Sequence, residues 1–164
     1  MNPVYDKLMK CYACFQEKTK FRPRVALVLG SGLGDYAKDI RVVETLDYHE
    51  IEGYVGDDPV VCMQGRVHYY EGYAMEDVVL PIRLMKLMGA EVLFLTNAAG
   101  GIRQGMQAGD FMLLTGQIAS FVPSPLIGTN IDELGPRFPD MSQVYDRALQ
   151  KIVRKTAMQL DIPL

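Results

Sequence analysis

The chain has 164 residues, 49% of them hydrophobic, which is enough for one well-buried domain and short for two. Its 17 basic and 20 acidic residues leave a formal charge of −3, which gives no electrostatic footprint for nucleic acid or an anionic membrane. A small anion stays within reach, because a local cluster of donors binds one against an acidic average.

The N-terminal stretch MNPVYDKLMKCYACFQEK has no basic segment followed by a long apolar core, so it does not read as a signal peptide. It reads as a helix, with Asn2 as N-cap, Pro3 at the first helical position, and Val4, Leu8, Cys11 and Phe15 on one face. Cysteines stand at 11, 14 and 62. Cys11 and Cys14 form a C-x-x-C, but no second pair completes a metal site and no strand precedes it as a thioredoxin-like motif requires. They read as thiols on an ordinary helix in a reducing cytoplasm, with no metal.

FRPRVALVLG predicts a short buried strand, and GDYAKDI can open a helix after it. From Arg41 to Gly65 the pattern predicts strands joined by polar turns, the clearest turn at GDDP, and His49 reads as a surface or turn histidine. Asp77 to Met88 carries Val78, Ile82, Met85 and Met88 at helical spacing, with Gly89 as C-cap and Pro81 in or near the first turn. AEVLFLTN predicts the next buried strand; neither VLFL nor VALVL is long enough to cross a bilayer. GDFMLLTGQIASF predicts a further strand region. Val122 to Pro139, rich in Pro, Gly and Asn, is long for an idle loop. Ser142 can cap a final helix with Val144, Leu149, Ile152 and Val153 inward.

Strands alternating with helices predict an α/β fold, in which ligands gather at loops leaving the carboxyl ends of strands. Gly30 to Gly34, Gly65 to Tyr73, and Asn97 to Arg103 fit that position. In the first, VLGSGLGDYA fails the dinucleotide pattern, because Asp35 stands where a third small residue is needed for helix and strand to pack. It suits one phosphate, with close backbone, amide N–H groups and the Ser31 hydroxyl, and it equally suits a tight turn with no ligand. In GRVHYYEGY, Arg66 and His68 lie two apart and share a face of an extended segment, an anion clamp of guanidinium and imidazole that Tyr70 continues. The alternative is a strand whose polar residues face water, although Tyr69, Tyr70 and Tyr73 make that face aromatic. In TNAAGGIR, Asn97 offers an amide, and the small residues after it bare their backbone N–H groups, as they would in a plain turn.

GSGLG, GRVHYYEGY and TNAAGG, in this order and followed by RFPDMS and VYD, resemble the trimeric purine nucleoside phosphorylases. The resemblance covers nearly the whole chain and the N-terminal part of that family's length. It implies one α/β domain over residues 1–164, a central mixed β-sheet flanked by helices, as part of a longer nucleoside-phosphorylase-like domain. It implies reversible phosphorolysis of purine (2′-deoxy)ribonucleosides to free base and (deoxy)ribose 1-phosphate, in purine salvage. Inorganic phosphate is then co-substrate, with no metal and no organic cofactor, and the assembly is a homotrimer in the cytoplasm. Ser31, Arg66, His68 and the Ala98 amide are similar to the family's phosphate ligands, with Arg66 and His68 catalytic. Tyr70 resembles a ribose contact, Ala98 and Ala99 border ribose and base, and Phe138 resembles the phenylalanine lent to a neighbouring subunit.

The chain departs from that pattern between Gly53 and Tyr54, where the family's flexible histidine-bearing segment is absent, and at Gly116–Gln117, where relatives often have Asp-His. The family continues past the position of Leu164 with the purine-reading Glu and Asn and a further phosphate-binding Ser. These three loops therefore leave two other readings open: a related phosphorylase acting on methylthioadenosine, and a non-catalytic fragment that binds phosphate or ribose phosphate.

Overall fold

The computed structural model describes residues 2–30, 32–33, 35–36, 53–55 and 58–164. The predicted N-terminal helix is α1 (Pro3–Lys18): the Asn2 side chain accepts from the Val4 N–H at 3.0 Å, and Pro3 leads the first turn. Leu8 and Phe15, seven residues apart on one face, are its buried residues. β1 (Val25–Leu29) follows, then β2 (Gly53–Val55), β3 (Asp58–Gln64), α2 (Met75–Met88) and β4 (Val92–Leu95).

The four strands form one mixed sheet in the order β2-β3-β1-β4. β1 pairs parallel with β3 and with β4, while β2 runs antiparallel to β3. β2 and β3 pair antiparallel with Val55 opposite Asp58, β2 runs through Gly53 and Tyr54, and Gly56 and Asp57 of GDDP lie outside the described residues. Parallel strands need crossover connections, and α2 supplies the one that carries the chain from β3 past β1 to β4. Alternation along the strands sends Ala26, Val28, Val61 and Met63 to one face, where they pack with Phe15 of α1 and with Met85 and Met88 of α2. Both helices thus cover the same face, tied to each other at the surface by an ion pair between Lys7 Nζ and Asp77 Oδ1 at 2.5 Å. Each fully buried side chain of that layer is worth about 1.5–3 kcal/mol in area removed from water.

α2 begins earlier than its apolar spacing suggests. Met75 opens it, so Pro81 falls in the second turn rather than the first and withholds the N–H that would pair with the Asp77 carbonyl. Gly89 ends it in the left-handed conformation, φ 119°, as expected of that glycine.

By its internal contacts the chain divides into a first unit ending at Ala98 and a second spanning Ala99–Leu164. The second unit holds a 3-10 turn at Asp132–Leu134 and α3 (Arg147–Gln159). Several expectations are corrected: β4 is not buried, since Leu93, Phe94 and Leu95 are exposed, and Leu149 and Ile152 of α3 are exposed rather than inward. The region GDFMLLTGQIASF forms no strand and joins no ladder among the described residues, and Phe111 and Met112 are exposed. An apolar run becomes a strand only when another strand takes up its N–H and C=O groups. The cap of α3 is Asp146, whose carboxylate accepts from the Leu149 N–H at 2.8 Å, not Ser142. Ser142 instead donates its N–H to the Asp140 carboxylate at 2.9 Å, closing a turn upstream and leaving Val144 outside the helix. The long loop before it is held by its own polar groups: Arg137 donates to the carbonyls of Leu126 and Gly128, and the Asn130 amide donates to Asp132 and Gly135.

Candidate active site

Parallel pairing brings the carboxyl ends of β1, β3 and β4 to one edge of the sheet, with Leu29 beside Gln64 and Val28 beside Leu95. The three loops singled out in the sequence begin there. Gly30 leaves β1, Gly65 and Arg66 leave β3, and Thr96, Asn97 and Ala98 leave β4.

Gly30 and the end of β4 are in contact. A Cβ on Gly30 would lie 2.7 Å from the Asn97 Cα and 2.7 Å from the Thr96 carbonyl oxygen, so only glycine lets the two backbones approach this closely. The Gly30 N–H donates to Thr96 Oγ1 at 2.8 Å. That hydroxyl in turn donates to the Val28 carbonyl at 3.1 Å, which also takes the Thr96 N–H at 3.0 Å. Immediately beyond, the Leu33 N–H donates back to the Gly30 carbonyl at 3.2 Å, and Gly32 adopts φ 85°, so the glycine run turns sharply. Ser31 and His49 lie outside the described residues.

Arg66 follows Gly65, whose φ of 100° turns the chain away from β3. One guanidinium nitrogen, Nη1, donates to the Thr96 carbonyl at 3.1 Å. Among the described residues it forms no ion pair, which leaves a half-buried cation with donors to spare beside the backbone of two loops. His68 is also half-buried, and its ring stacks on Tyr70 with centroids 4.7 Å apart and planes 13° from parallel. Its backbone N–H donates to Glu71 Oε2 at 2.6 Å, and the Glu71 N–H donates to the His68 carbonyl at 3.1 Å, which fastens a 3-10 turn over Tyr69–Glu71. Tyr70 therefore does not continue an extended face with Arg66 and His68. It folds over the imidazole and is 81% exposed, an aromatic surface open to a ligand.

The structure thus joins Arg66 to the Gly30 loop through Thr96, and His68 to Tyr70 through stacking. Ala98, an exposed residue, closes the first unit, and its carbonyl accepts from the Asn97 amide at 3.3 Å. Ala99 and Phe138 belong to the second unit; Ala99 is exposed, and Phe138, next to the anchored Arg137, is 87% exposed. Among the described residues no three of His, Cys, Asp and Glu stand together as a metal site, and no helix is long and apolar enough to cross a membrane. Thr96 and Glu71 are the residues that sequence reasoning passed over. The only local hint of Thr96 is a hydroxyl at the point where the apolar run VLFL stops.

The chain belongs to the phosphorylase superfamily, whose family model matches residues 21–164. Within it, the chain is similar to purine nucleoside phosphorylases. Purine nucleoside phosphorylase 1 of Bacillus subtilis (strain 168) is 40% identical over 175 aligned positions, covering 97% of this chain and 65% of that protein. The enzyme of Rattus norvegicus is 35% identical, covering 90% of this chain and 58% of that protein. Among solved structures, isoform 2 of the Schistosoma mansoni purine nucleoside phosphorylase, in complex with cytosine and ribose-1-phosphate, superposes with a TM-score of 0.84 at 36% identity, covering 96% of this chain and 62% of that one. A Schistosoma mansoni purine nucleoside phosphorylase in complex with adenosine gives 0.83 at 34%, covering 94% and 61%. The chain therefore spans about three fifths of the length of these relatives. The Bacillus alignment is longer than this chain's 164 residues, so that relative carries residues within the matched span that this chain lacks. The mixed sheet with its helices is the nucleoside phosphorylase fold of these neighbours, in part.

Proposed function

We propose that this chain serves phosphorolysis of purine (2′-deoxy)ribonucleosides, in purine salvage, with inorganic phosphate as co-substrate and no other cofactor. The observation that carries the reading is the half-buried Arg66 guanidinium, without an ion-pair partner among the described residues, held at the edge where three parallel strands end. Its spare donors suit a phosphate dianion better than a neutral ligand. His68 and the Ala98 amide, with Ser31, complete the clamp, and Tyr70 offers its open ring to the ribose. Ala98 and Ala99 border ribose and base, and Phe138 serves a neighbouring subunit in a homotrimer. The family match over residues 21–164 supports one phosphorylase domain. The free thiols suit the cytoplasm.

In the reaction, a phosphate oxygen bonds to the sugar's anomeric carbon as the bond from that carbon to the purine nitrogen breaks. The bonding pair leaves with the base, which takes up a proton. Positive charge grows on the sugar in the transition state, and a fixed dianion beside it lowers that energy. Arg66 and His68 hold the dianion in place, so their contribution grows as charge develops.

The test is phosphate-dependent release of hypoxanthine from inosine, with Arg66→Ala as control and phosphate binding to the 164-residue chain measured in parallel. Phosphate-independent cleavage, or equal phosphate affinity in Arg66→Ala, would overturn the reading. Binding without turnover would favour a fragment that holds phosphate and does not catalyse. Comparing inosine with methylthioadenosine separates the two phosphorylase specificities.

A further inference from the structure

We propose that Thr96 is a positioning residue for the phosphate clamp, through a hydroxyl that sets the distance between the Gly30 loop and Arg66. This rests on the phosphorylase reading above.

Where β1 stops, the Gly30 N–H has no further ladder partner, and Gly30 is buried. A buried amide needs an acceptor, and the only hydrogen bond it makes among the described residues is to Thr96 Oγ1, at 2.8 Å. The hydroxyl must then direct its own proton elsewhere, and it donates to Val28 at 3.1 Å. Both side-chain bonds therefore run from the end of β4 to the end of β1. The backbone of the same residue carries two more ties, since its N–H donates to the Val28 carbonyl at 3.0 Å and its carbonyl accepts from Arg66 Nη1 at 3.1 Å. One residue thus holds the amide that opens the glycine loop and the cation that follows β3. A shift of Thr96 moves both at once, and anion donors lose strength steeply when they leave their mutual geometry.

The hydroxyl is separable from the fold by isosteric change. Thr96→Val keeps the shape and removes both side-chain bonds, leaving the Gly30 N–H without its acceptor. Thr96→Ser keeps the hydroxyl. For the unsubstituted chain and both variants, inorganic phosphate is titrated while the Gly30 and Arg66 N–H signals are followed by NMR, and exchange of the Gly30 amide with deuterium is timed.

Thr96→Val is expected to bind phosphate about tenfold more weakly, the loss of a buried hydrogen bond of ordinary strength. Its Gly30 amide should exchange about tenfold or more faster, and its Arg66 signal should move. Thr96→Ser should stay within about twofold of the unsubstituted chain in both measures, which a role for the methyl in packing would not produce. Should Thr96→Val fail to fold, Thr96→Ala, which leaves room for a water on the Gly30 amide, is expected to show the same loss in milder form. Phosphate affinity within twofold in Thr96→Val or Thr96→Ala would overturn the proposal, as would a failure of Thr96→Ser to rescue. No phosphate affinity in the unsubstituted chain would overturn the phosphorylase reading and this inference together, whereas affinity that survives loss of the hydroxyl overturns the inference alone.

Discussion

Replacing Gly30 with alanine tests how tightly the first loop is pressed on the third. The backbone of Gly30 lies outside the left-handed region, so an alanine there is opposed by space alone. Its methyl would sit 2.7 Å from the Asn97 Cα, whereas unbonded carbons rest at about 3.5–4.0 Å, so the two backbones must part by about 0.8 Å or more. That movement stretches the 2.8 Å bond from Gly30 to Thr96 to about 3.6 Å, beyond a hydrogen bond. Overpacking costs about 1–3 kcal/mol and the lost bond about 1 kcal/mol more. For a unit the size of the first, such a loss lowers the melting temperature by about 10 °C or more. Gly65 supplies the contrast: nothing lies near its missing Cβ, but its φ is 100°, so Gly65→Ala meets backbone strain of about 1–2 kcal/mol and no clash. Thermal melts of both variants, followed by circular dichroism, decide the matter. A Gly30→Ala chain that melts within about 2 °C of its parent, or no lower than Gly65→Ala, would refute the close approach.

Burial pushes the Cys62 thiol up from its ordinary value of 9.0, while Cys14 is exposed. In mass spectrometry after brief iodoacetamide treatment near pH 8, Cys14 should be alkylated first and Cys62 only on unfolding; equal rates would contradict the packing of β3. The thiol proton is held more tightly in the folded state, so this residue's contribution to stability is intact below pH 9 and is lost as pH rises past it, visible as a falling melting temperature that Cys62→Ala lessens. Bonds from the Ser142 side chain and N–H hold the Asp140 carboxyl below its ordinary 3.8, so its stabilising effect is present above that pH and fades as pH falls through the lowered value. In Ser142→Ala the Asp140 midpoint, read by carbon NMR, should move back toward 3.8.

What was legible in the sequence is what depends on near neighbours. Asn2, Pro3 and the Leu8–Phe15 spacing announce α1 because a cap and a stripe are local, and Gly89 marks the end of α2 for the same reason. Ser142 and Asp146 are both good caps, and only the turn closed by Asp140 decides between them. The run GDFMLLTGQIASF has the composition of a strand, yet composition is not a hydrogen-bond partner. At the candidate site, Arg66 and His68 were legible as side chains able to hold an anion, and Ala98 as a small residue offering its backbone N–H. Thr96 was not, because its bonds reach residues 66 and 68 positions earlier in the chain, and no local pattern records that meeting.

The same separation sets an order of events when the chain is made. Thr96 leaves the ribosome 68 residues after Val28, the strand residue it must clasp, a delay of roughly 3–14 s at ordinary synthesis rates. β1 is the middle strand for both of its parallel partners, and neither exists when it emerges. When β1 emerges, α1 is the only described element before it that can shelter Ala26 and Val28, and β3 and α2 join that face later in the interval. Contacts between segments so distant are slow to find, and their closure entropy is met only once the strands align. The junction of Gly30, Thr96 and Arg66 is thus absent from every early folding species: it comes into being in the step that docks β4, together with the sheet edge that carries it.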